Sequence, residues 1–149
     1  MNQRFQSFVT GITICYKYIQ RIKSMEMTEL GLKGTHVMCL FFLHRNPEGI
    51  TAARLSQLCA EDKAAISRTV AFLQQEGYVV AVGNRYRANL LLTEKGRAAA
   101  QQVEKLIDKW VGFGGEGLSE EDRAAFYRVL EHISGNLRDT MDQKQGKES

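Results

Sequence analysis

Proline occurs once in 149 residues, and cysteine only three times. A single proline and no long low-complexity tract exclude a collagen-like or linker-rich chain. Cys15, Cys39 and Cys59 are odd in number and widely spaced, with no C-x-x-C pair among them. That argues against a disulfide framework and for a reducing compartment, so a cytoplasmic location is expected. The longest apolar run is Val37–Leu43, far short of the ~20 residues a membrane helix needs. No membrane partner is expected. The apolar residues near the start, Phe8, Val9, Ile12 and Ile14, are interrupted by Thr10 and Thr13. No small-residue cleavage site follows, so no signal peptide is expected. There is no glycine-rich phosphate loop, no H-E-x-x-H and no G-x-S-x-G. Neither an enzyme nor a cofactor is expected.

What is present suits a folded chain. Hydrophobic residues make up 44% and charged residues 25%, the balance of a globular domain. The length is that of one domain, so 1–149 is read as a single unit. The net charge of +3 says less than its distribution. Residues 1–24 carry four bases and no acid, and residues 51–97 carry seven bases against four acids. Residues 98–149 carry seven bases against ten acids. A basic middle hints at an anionic partner there.

Periodicity places the elements. Phe5, Phe8, Val9, Ile12, Cys15, Tyr16, Ile19 and Ile22 step by threes and fours, predicting an amphipathic helix over about 4–24. Thr28-Glu29-Leu30-Gly31 reads as a break. Thr35 to Arg45 is apolar nearly all round, as a buried helix is. Asn46-Pro47-Glu48-Gly49 is a turn. Thr51 caps a short helix through Cys59, and Asp62 caps a second with Ile66, Thr69, Val70, Phe72 and Leu73 inward. Gly77 stands where a left-handed residue ends that helix. Tyr78–Val82 and Ala88–Leu92 read as the strands of a hairpin with a basic tip at Gly83–Arg87. Thr93 caps a long helix with Ala98, Val103, Leu106, Ile107 and Trp110 as buried candidates. Gly112–Gly117 reads as a flexible hinge. Ser119 caps a last helix ending near Arg138, with Phe126, Val129, Leu130, Ile133 and Leu137 on one face. The tail 143–149 is expected to be disordered.

Two short helices, a tight turn and a hairpin is the order of a winged helix-turn-helix. The fold expected is mainly α with a small β-hairpin wing. Such a module puts the N-terminal residues of its second helix at base edges in the major groove. Here those residues are Lys63, Ala64, Ala65, Ser67 and Arg68. Small side chains permit close approach, and two cations and a hydroxyl suit phosphate or base oxygens. Thr51 and Arg54, at the start of the first helix of the pair, complete the candidate DNA contacts on that side. Arg85 and Arg87 flank Tyr86 at the hairpin tip, where arginines reach a minor groove or the backbone. Each cation alone is as readily an ordinary solvated charge. The constellation points to double-stranded DNA. The alternative of another class is a winged helix that binds protein and has lost DNA binding, which Ala64 and Ala65 would suit.

The ordered set Asp62-Lys63-Ala64-Ala65-Ile66-Ser67-Arg68, Leu73-Gln74-Gln75-Glu76-Gly77-Tyr78, Leu92-Thr93-Glu94-Lys95-Gly96-Arg97 and Gly117-Leu118-Ser119-Glu120-Glu121 resembles the multiple-antibiotic-resistance regulator (MarR) family of bacterial winged-helix transcription factors. The resemblance covers about residues 5–140. It implies a homodimer on a pseudopalindromic operator, commonly a repressor released by a small ligand. The winged helix-turn-helix would span about 30–97, flanked by dimerisation helices over 4–24 and 98–140. Ala64-Ala65 stands where family members often have Ser-Thr. An ungapped match puts Asn84 at the family's wing aspartate and Tyr86 at its wing arginine. Relatives bind small aromatic acids between the dimerisation helices and the winged domain, which makes Tyr16, His36 and Trp110 candidate ligand contacts here.

Two further chemistries have candidate residues. His36, Cys39 and His44 share a helix at a spacing that can present two metal ligands, but a core cysteine is usually a small hydrophobe, and no metal is expected. Some relatives sense peroxides through a cysteine on the first helix. Cys15 falls about six residues out of register with that position, and a packed thiol is the plainer reading beside a redox-sensing one.

Overall fold

The computed structural model describes residues 2–84 and 87–146. The chain begins with α1 (Asn2–Met27) and a 3-10 turn (Thr28–Leu30), followed by α2 (Gly34–His44), α3 (Ala52–Cys59) and α4 (Lys63–Gln75). Strands β1 (Val79–Val82) and β2 (Asn89–Leu92) come next, then α5 (Glu94–Gly114) and α6 (Glu120–Gln145). This is the mainly helical architecture with one hairpin that the sequence predicts. The chain divides into two compact units, 1–107 and 108–149, with the boundary inside α5.

The first unit is built around α2. Val37, Cys39, Leu40 and Leu43 are buried, as expected of a helix apolar on most sides. Leu55 of α3, Ile66, Val70 and Leu73 of α4, Val79 of β1, Leu90 and Leu92 of β2 and Val103 of α5 pack into the same core. The hairpin is antiparallel, with Val79 opposite Leu92 and Val82 opposite Asn89. Ile50 adds a short third rung, its carbonyl accepting from Leu90 N at 2.8 Å. At the end of α2, the carboxylate of Glu104 on α5 lies 3.5 Å from His44 Nε2 and 3.4 Å from Arg45 Nε.

Three details differ from expectation. The last helix does not end near Arg138 but runs to Gln145, so residues 143–145 of the expected tail are helical; Gln143, Lys144 and Gln145 are good helix formers with nothing to stop them. Residues 147–149 of that tail lie outside the described part. Helix α5 continues through Gly112 to Gly114, so the expected hinge is shortened to the turn before Ser119. On α5, Ala99 and Ala100 are buried where Ala98 was expected, a register set by the close approach of Gly96 to the wing.

The terminal helices keep much of their apolar surface in water. In α1 only Met27 is buried, and Phe5 is 69% exposed. In α6 no residue is buried, and Phe126, Val129 and Leu137 are all more than half exposed.

Candidate nucleic-acid interface

The helix pair is set by local caps. Thr51 Oγ1 accepts from Arg54 N at 3.2 Å, and Asp62 Oδ1 accepts from Ala65 N at 2.7 Å. Each satisfies a backbone donor that a helix start otherwise leaves open. Between the helices the chain turns through Ala60, which adopts a left-handed conformation at φ 52°. Glu61 N closes the turn on Ser56 O at 3.1 Å.

Helical periodicity then sorts the side chains of α4. Ile66, Thr69, Val70 and Leu73 face the core, while Lys63, Ala64, Ser67 and Arg68 are exposed and Ala65 is half-buried. The structure thus brings these exposed candidates together over the first two turns of one helix face. Thr51 and Arg54 stand at the start of α3, where Arg54 is exposed and donates to Gln57 Oε1 at 3.2 Å. At the wing tip Arg87 is exposed and its backbone N donates to Asn84 O at 3.0 Å. Arg85 and Tyr86 lie outside the described residues.

The base of the wing is held by a clasp that the sequence reading did not foresee. Thr93 Oγ1 donates to Gly77 O at 2.6 Å and accepts from Gly96 N at 3.0 Å. It therefore caps α5 and ties that cap to the end of α4 in one hydroxyl. Gly77 is left-handed, φ 78°, which is where glycine carries no steric penalty. Lys95 Nζ donates to Glu76 O at 2.6 Å and lies 4.4 Å from the Tyr78 ring centroid. The run Leu92-Thr93-Glu94-Lys95-Gly96 thus fixes the angle between α4 and the hairpin. Its one signal in sequence was a threonine before a helical pattern.

The candidate ligand contacts lie on α1, α2 and α5. His36 is 8% exposed, its ring stacked on Phe72 at 4.2 Å, and its Nδ1 accepts from Lys33 N at 2.9 Å. It lines a hollow of about 300 Å³ between α2 and α4, together with Lys33, Thr35, Glu61, Ala65, Arg68 and Thr69. Tyr16 is exposed on α1 and accepts from Gln20 Nε2 at 2.8 Å, outside that lining. Trp110 belongs to the second unit, in edge contact with Phe113. The three side chains of the metal reading also diverge: His36 to Phe72, Cys39 to Cys59 and His44 to Glu104. Among the described residues no three such groups cluster for a metal ion, and no helix is long and apolar enough to cross a membrane.

Residues 30–86 match the model of the MarR family. This segment is similar to the winged helix of MarR regulators. Solved structures carry the likeness across most of the chain. A MarR transcriptional regulator from Methanosarcina mazei Go1 is 24% identical, with 87% of this chain and 89% of that one covered at a TM-score of 0.76. A MarR-family transcriptional regulator from Listeria monocytogenes, solved with a 26-mer DNA, is 20% identical at a TM-score of 0.78, covering 88% and 89%. CouR from Rhodococcus jostii RHA1, solved with p-coumaroyl-CoA, is 18% identical at 0.73, covering 82% and 87%. The matched segment is therefore set in a fold that these regulators share.

Proposed function

We propose that this protein is a sequence-specific DNA-binding regulator that reads a pseudopalindromic operator as a homodimer in the cytoplasm. The observation that carries the reading is the face of α4: Lys63, Ala64, Ser67 and Arg68 are exposed together, while the opposite face is anchored in the core. A recognition helix needs that combination of free tip and fixed back. Ala65, at the edge of that face, contributes close approach rather than a polar contact. Thr51 and Arg54 are assigned to the phosphate backbone, and Arg85, Tyr86 and Arg87 to the wing contact. The uncovered apolar faces of α1 and α6 support dimerisation through segments 4–24 and 98–140. Repression relieved by a small aromatic effector is the mode of action we favour, with Tyr16, His36 and Trp110 as contacts. The DNA-bound and thioester-bound neighbours support the partner and the kind of effector respectively.

The test is binding of the full chain to the DNA upstream of its own gene, read by fluorescence anisotropy. Arg68→Ala should weaken binding by about 1–3 kcal/mol per half-site if the arginine reads a base. Its fold should be unchanged, because a surface substitution there costs less than ~0.5 kcal/mol. Equal binding by parent and variant would remove α4 as the reading helix. Absence of any DNA binding would favour the protein-binding alternative.

A further inference from the structure

Cys39 and Cys59 are twenty positions apart in sequence, yet their sulfurs lie 3.9 Å apart in a thiol–thiol hydrogen bond. Cys39 sits mid-way along α2 and is fully buried, whereas Cys59 is the last residue of α3 and half-buried. We propose that these two thiols form a redox-modification site, a dithiol that a hydroperoxide converts to a Cys39–Cys59 disulfide inside the helix-turn-helix.

The geometry assigns the roles. Only Cys59 has exposed surface through which an oxidant can arrive, so Cys59 is the attacking sulfur. The hydrogen bond with Cys39 draws the Cys59 thiol down from its ordinary value, with the Lys23 ammonium adding to this against burial and Glu61. The same hydrogen bond, reinforced by burial, pushes Cys39 up, so it remains a thiol and is held as the resolving partner. The nucleophile of such a reaction is the thiolate. The Cys59 thiolate attacks one peroxide oxygen, the O–O bond breaks, and the departing alkoxide takes up a proton as alcohol or water. Cys59 is then a sulfenic acid. The Cys39 sulfur attacks the Cys59 sulfur, the S–O bond breaks, and hydroxide leaves as water with the Cys39 proton. Two thiols and one hydroperoxide have become one disulfide, one alcohol and one water.

A disulfide needs about 2.0 Å between sulfurs, so the pair must close by about 1.9 Å from the observed 3.9 Å. Cys39 is fixed in the core, which leaves the end of α3 to move. Cys59 is followed by left-handed Ala60, then Glu61 and the α4 cap Asp62. Any backbone part of that movement falls on the turn that sets where α4 begins.

The experiment treats the reduced full-length protein with hydrogen peroxide or cumene hydroperoxide, blocks remaining thiols, and maps peptides without reduction. The expected product links Cys39 to Cys59, leaves Cys15 alkylated, and reverts with dithiothreitol. Cys39→Ser should stop the reaction at a Cys59 sulfenic acid, captured by dimedone, while Cys59→Ser should leave Cys39 a thiol. Amide exchange over residues 60–66 should differ between the two states. Recovery of both cysteines alkylated, or a bridge through Cys15 in their place, would overturn the proposal, as would equal exchange in both forms for the transmitted part. None of these readouts involves DNA, so a failure to bind DNA would bear on the proposed function alone.

Discussion

Gly96 stands directly against the carbonyl oxygen of Tyr78, so close that a Cβ at this position would overlap that oxygen. The neighbour is backbone, which cannot swing away as a side chain would. This contact sets how near α5 comes to the wing, and with it the register that buries Ala99, Ala100 and Val103.

Gly96→Ala should therefore destabilise the protein despite the better helix propensity of alanine. Overpacking of this kind costs typically about 1–3 kcal/mol, against a propensity gain of up to ~1 kcal/mol. Urea unfolding with the slope held constant measures the difference. A variant as stable as the parent would mean that the clasp yields without cost.

His36 makes stability fall at acid pH. Burial, aided by the Lys33 ammonium, holds its pKa below the ordinary 6.5. The unfolded chain then binds the proton more readily than the folded one, so protonation favours unfolding. The contribution of His36 is complete above about 6.5 and is lost as pH falls through the folded value. His36→Gln keeps an acceptor for Lys33 N but does not titrate. Its stability should decline less than that of the parent between neutral pH and pH ~5, measured by urea midpoints. Parallel declines would remove His36 as the source.

The wing should govern the salt dependence of DNA binding. Arg85 and Arg87 are the only charged residues between Glu76 and Glu94. Each phosphate neutralised contributes a slope of roughly −0.9 in log affinity against log salt. With two wings per dimer, replacing both arginines by alanine should flatten the slope by up to ~3.6. An unchanged slope would show that the wings do not touch DNA.

The apolar faces of α1 and α6 should be covered in solution by a second copy. An obligate interface of this kind buries more than ~2,000 Å². Sedimentation at micromolar concentration should return a dimer, and deletion of residues 1–24 should yield an aggregating or unfolded product. A monomeric parent would remove the basis for reading a palindrome.

Much of this protein is legible along the chain because the physics involved is local. Thr51, Asp62 and Ser119 each bind a backbone N–H three residues ahead, so a cap and the pattern after it locate a helix start. The inward and outward faces of α4 follow from a period of 3.6 residues alone. The strand pair follows from the change of period after Gly77. What the chain alone determined was thus the element order and which side of α4 points outward. Only the packing of α2 against its neighbours decided the rest. The stacking of His36 on Phe72, and the meeting of Cys39 with Cys59 at the end of α3, appear only once these elements are packed together. Thr93 and Gly77 are sixteen positions apart and meet because the hairpin folds back on α4. Contacts of that kind depend on the angle and depth at which elements pack, and no period or spacing in a single sequence encodes either.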